Sequence, residues 1–73
     1  MNIYKPIMKE YPKALPLARM LTETAAAQGA SMGEFEYACK IALDICSRTI
    51  KRKESGVLLS EIKSEVQATF QSI

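Results

Sequence analysis

Histidine and tryptophan are absent from this 73-residue chain, and cysteine occurs only twice. Without histidine the chain lacks the commonest metal ligand and the commonest general base together. Cys39 and Cys46 lie seven residues apart in a stretch that reads as one helix. At ~1.5 Å rise per residue their Cα atoms are separated by roughly 10 Å, beyond the ~7 Å a disulfide tolerates. The spacing also fits no zinc site, so both are expected to be small apolar residues of a core. No metal and no cofactor is expected. Serine-based chemistry lacks a histidine activator, and Gly29 and Gly33 belong to no phosphate-binding loop, because no Gly-Lys-Ser/Thr follows them. Glu34 and Glu36 fall on different helix faces and make no paired-carboxylate site. The chain is expected not to be an enzyme.

Long hydrophobic runs are missing as well. No apolar stretch reaches the roughly 18 residues of a membrane span, and the first residues lack the apolar core of a secretion signal. A cytoplasmic protein with no membrane partner is expected. The charge is mild, ten Lys and Arg against eight Asp and Glu for a net +2, too little by itself to imply nucleic acid. Hydrophobic residues make up 48% and charged residues 25%, the balance of a folded chain. At this length one small core is expected, with neither disulfide nor metal to reinforce it.

What is present is helical periodicity. All three prolines stand at positions 6, 12 and 16, which restricts residues 1–15 to an arm with one short helical turn. A first main helix over 16–28 aligns Leu17, Met20, Leu21, Thr24, Ala25 and Gln28 on one face, and Gly29 ends it. A second over 32–53 opens on Ser31-Met32-Gly33-Glu34, which has the S-x-x-E form of a capping box. Its apolar residues, among them Phe35, Cys39, Ile41, Ile45, Cys46 and Ile50, cover an arc of roughly 200°. That is about twice an ordinary apolar stripe, and it predicts a central helix packed on two sides. A third helix over 58–72 carries a narrow seam of Leu59, Ile62, Val66, Phe70 and Ile73. No run alternates with the period of a strand. The fold class is therefore all-α: a small three-helix bundle with a proline-containing arm, forming a single domain over 1–73.

Two functional readings follow. The first is a regulator, inhibitor or accessory protein that works through protein–protein contact and associates with itself, as a homodimer. The exposed edge of the wide arc, Ile41 and Ile45, is the candidate self-association surface. Arg48, Lys51, Arg52 and Lys53, together with Tyr37 at the polar margin, are candidate contacts for an acidic partner or for phosphate. The same cations are also favoured simply by lying at a helix C-terminus. Tyr37 is expected to be covered by the arm. The alternative is a small DNA-binding transcriptional regulator with a loose helix-turn-helix over 17–46 and basic contacts over 48–53. It rests on Ala25 and Gly29 standing four apart, as in that motif. Against it, the recognition helix would present Glu34 and Glu36 to a phosphate-lined groove and no Arg or Lys for guanine.

Overall fold

A computed structural model describes residues 3–50 and 56–73. Among them the secondary structure is entirely helical: α1 (Lys5–Glu10), α2 (Ala14–Ala27), α3 (Met32–Thr49), a 3-10 turn (Leu59–Glu61) and α4 (Lys63–Gln71). The chain is all-α, and its three helices longer than two turns are the inventory of a small helical bundle. No helix among the described residues is long and apolar enough to cross a membrane. By packing, the chain divides into two compact units, Met1–Phe35 and Glu36–Ile73.

In the first unit the prolines act as the sequence leads one to expect. Pro6 sits in the first turn of α1, where its missing N–H costs no hydrogen bond. Tyr11, just before Pro12, closes the helix by donating its N–H to the Ile7 carbonyl at 2.7 Å. α2 begins two residues earlier than its periodicity suggests. Pro16 is tolerated as its third residue because the first turn's N–H groups have no intrahelical partner anyway. At the other end Gly29 adopts φ 73°, the left-handed conformation that glycine enters without penalty. The Ala30 N–H then reaches the Ala25 carbonyl and the Gly29 N–H the Ala26 carbonyl, both at 3.0 Å. That pair of bonds is a Schellman closure.

The turn that follows holds the best-satisfied helix start among the described residues. The Glu34 N–H donates to the Ser31 hydroxyl oxygen at 3.1 Å, and the Ser31 N–H donates back to Glu34 Oε1 at 2.8 Å. Both hydrogen bonds to Ser31, the backbone one foremost, hold the Glu34 carboxyl below its usual range. A lowered folded pKa means that the stability gained from these bonds is present above the ordinary glutamate pKa and is lost as pH falls from there through the lowered folded value. Ser31→Ala is expected to cost about 1 kcal/mol in thermal unfolding at neutral pH, and less at a pH where Glu34 is protonated. An equal loss at both pH values would contradict the reciprocal cap.

In the second unit α3 is described as far as Thr49, and positions 51–53 of the predicted helix lie outside the described residues. The third predicted helix is broken in two. Leu58 offers no capping side chain, so the first N–H groups bond three residues back: Glu61 to Leu58 and Ile62 to Leu59, at 3.0 and 3.2 Å. These are 3-10 bonds, and α4 starts only after Ile62.

The core is smaller than the apolar patterning implies. Ile45, at 3% exposure, is the one buried hydrophobic residue among those described. Phe35, Cys46 and Ile50 are half-buried, whereas Cys39, Ile41 and Leu43 are exposed, so the wide arc of α3 is not covered on two sides. The face of α2 is open too, with Leu17, Met20 and Leu21 all exposed. In α4 and the turn before it, Ile62 and Val66 are half-covered, but Leu59, Phe70 and Ile73 are not.

Candidate functional surface

Two adjacent rows run along α3 in steps of four residues. One is ionic: Glu36, Lys40, Asp44 and Arg48. Its members pair within the helix, Lys40 Nζ to Glu36 Oε2 at 2.8 Å and Arg48 Nε to Asp44 Oδ2 at 3.0 Å. Each anion precedes its cation by four residues, the orientation that also suits the helix dipole. All four side chains are more than half exposed. Such pairs fix side-chain positions but add little stability.

The neighbouring row is Tyr37, Ile41, Ile45 and Thr49, and its character changes along the helix. Tyr37 is 62% exposed, Ile41 49%, and Ile45 is buried. Thr49 is half-buried and turns its hydroxyl onto the Ile45 carbonyl at 2.9 Å. Lys40 lies 5.3 Å from the centroid of the Tyr37 ring, a cation–π distance that joins the two rows. The arrangement is an apolar seam flanked by charge, the pattern of a helix that packs on another helix.

Three sequence expectations need correction here. Ile45 is no exposed edge: its own chain already covers it, so of the proposed pair only Ile41 is open to a partner. Tyr37 is not buried under other residues but stands exposed beside Lys40. Cys39 is exposed rather than packed in a core, while Cys46 is half-buried. A thiol reagent is therefore expected to label Cys39 of the native protein quickly and Cys46 several-fold more slowly, roughly as their accessibility dictates. Peptide mass spectrometry after brief labelling measures this directly, and equal rates would contradict it. Of the candidate cations, Arg48 belongs to the ionic row, and Lys51, Arg52 and Lys53 lie outside the described residues.

Sequence reasoning missed a feature of the first unit. α1 and α2 leave an open groove of about 350 Å³ between them, lined by Tyr4, Ile7, Met8, Ala14, Leu15 and Ala18. The apolar residues of the arm were legible, but not the groove, because helix packing against Ala14 and Ala18 is not written in α1's own six residues. At the start of α3, Glu34 and Glu36 are both exposed, and Glu34 is held in its charged form. A helix entering DNA by that end would bring two carboxylates towards phosphate.

Compared with known protein families, with curated proteins and with solved structures, the chain matches none of them. The class its fold and surface define is that of a small all-α protein with open apolar helix faces.

Proposed function

We propose that this chain is a non-enzymatic helical protein that acts by protein–protein interaction, in the manner of a regulator, inhibitor or accessory protein, and that it associates with itself. One observation carries this reading. Among the described residues sixteen large hydrophobic side chains are exposed and one is buried. Single exposed hydrophobic residues are ordinary on any protein. Here several share one helix face, as Leu17, Met20 and Leu21 do on α2 and Tyr37 and Ile41 do on α3. Extended apolar faces of that kind mark contact surfaces. A reducing, cytoplasmic setting suits an exposed thiol such as Cys39, which an oxidising compartment would open to pairing between molecules.

Thermal melting at a series of protein concentrations tests the reading. Association that stabilises the folded chain raises the melting temperature as concentration rises. A melting temperature unchanged over a hundredfold range would count against self-association.

A further inference from the structure

We propose that the occupant of the exposed α3 face is α3 of a second copy of this chain, lying antiparallel about a two-fold axis that passes beside Ala42. The inference rests on the self-association reading and specifies its surface and direction.

The argument comes from the order of signs in the ionic row. Glu36, Lys40, Asp44 and Arg48 read minus, plus, minus, plus from N- to C-terminus. Read backwards, the same row is plus, minus, plus, minus. Two copies laid antiparallel and centred on position 42 set Glu36 level with the partner's Arg48 and Lys40 level with the partner's Asp44. The two-fold repeats both pairings, so each of the eight charges lies level with an opposite sign, and Lys40 and Asp44, nearest the axis, stand closest to their partners.

Symmetry decides between the two possible directions. In an antiparallel pair the two-fold axis lies in the contact plane, across the helices. It therefore carries one flank of a helix onto the same flank of its partner, and the ionic row meets its own image. In a parallel pair the axis runs along the helices and carries the row to the opposite flank, where it meets no copy of itself. Only the antiparallel arrangement uses the alternation.

The apolar row supplies the contact itself. With the axis at position 42, Ile41 of the two copies come within roughly 3 Å of one level, at ~1.5 Å rise per residue. Tyr37 falls about one residue's rise from the partner's Arg48, within reach of a second cation–π contact. The seam stops towards the C-terminal side, where Ile45 is already covered. The existing pairs within each helix hold the four charged side chains in place before association. Their contribution is to orientation more than to affinity.

Charge exchange tests the arrangement. Lys40→Asp and Asp44→Lys each put like charges together at two symmetry-related places. Each variant alone is expected to self-associate on the order of tenfold more weakly, by sedimentation equilibrium. An equimolar mixture of the two restores all four pairings in a heterodimer, and association returns to near the wild-type level. The double variant Lys40→Asp with Asp44→Lys restores them within a homodimer, although it loses both pairs inside the helix. Recovery in the mixture and the double variant establishes the antiparallel contact. Single variants that associate like the wild type, or weakened ones that neither combination rescues, overturn it while leaving self-association standing. A wild type that is monomeric at high micromolar concentration overturns both.

Discussion

Truncating Ile45 to alanine is expected to lower stability by about 2–4 kcal/mol, more than any other apolar truncation among the described residues. Ile45 is the one hydrophobic side chain there that is removed from water. Deleting its outer carbons forfeits burial and leaves a void that the backbone of α3 is too rigid to close. In a domain of this size 1 kcal/mol moves the melting temperature by about 4–8 °C, so a fall of roughly 8–32 °C is expected. Leu43→Ala is the control, on the same helix but 70% exposed. It is expected to stay within about 0.5 kcal/mol of the wild type. Similar losses for the two variants would mean that Ile45 is not the centre of the core.

Ile41→Glu is expected to act on association rather than on folding. Its side chain is half exposed and borders the ionic row, so glutamate is accommodated in the isolated chain. In a dimer the same substitution sets two carboxylates close to each other at the axis and removes the central apolar contact. The dissociation constant is expected to rise about 10- to 100-fold, which is roughly 1.4–2.8 kcal/mol. At low protein concentration wild type and variant should melt together. At high concentration only the wild type gains stability. A variant that is destabilised equally at every concentration would place Ile41 in the folding core instead.

Much of the helix framework was legible in the sequence because it is set by local chemistry. Pro6 and Pro12 bound α1, Gly29 takes the one positive φ among the described residues, and Ser31 with Glu34 opens α3, each through bonds to residues at most five positions away. Burial depends on distant residues, and there the periodicity misled. The wide apolar arc of α3 implies two covering neighbours. Its coverage is confined to Phe35 and the surroundings of Ile45, and Cys39, Ile41 and Leu43 remain open. Amphipathic spacing reports which side of a helix is apolar, not whether its own chain or another covers it. The break before α4 was missed for a related reason: Leu59 and Ile62 keep helical spacing through a 3-10 turn, since three-residue steps serve both helix types. Of the candidate surface, Tyr37, Ile41 and Arg48 were legible as residues. That Lys40 joins Tyr37 to the ionic row, and that Arg48 pairs with Asp44, needed the side-chain geometry.

Sedimentation equilibrium of the unmodified protein tests the central claim most directly. The account expects a two-fold dimer near 16 kDa, about twice the 8.1 kDa chain, at tens of micromolar. That species should dissociate on dilution. A single species at the monomer mass up to high micromolar concentration would contradict it.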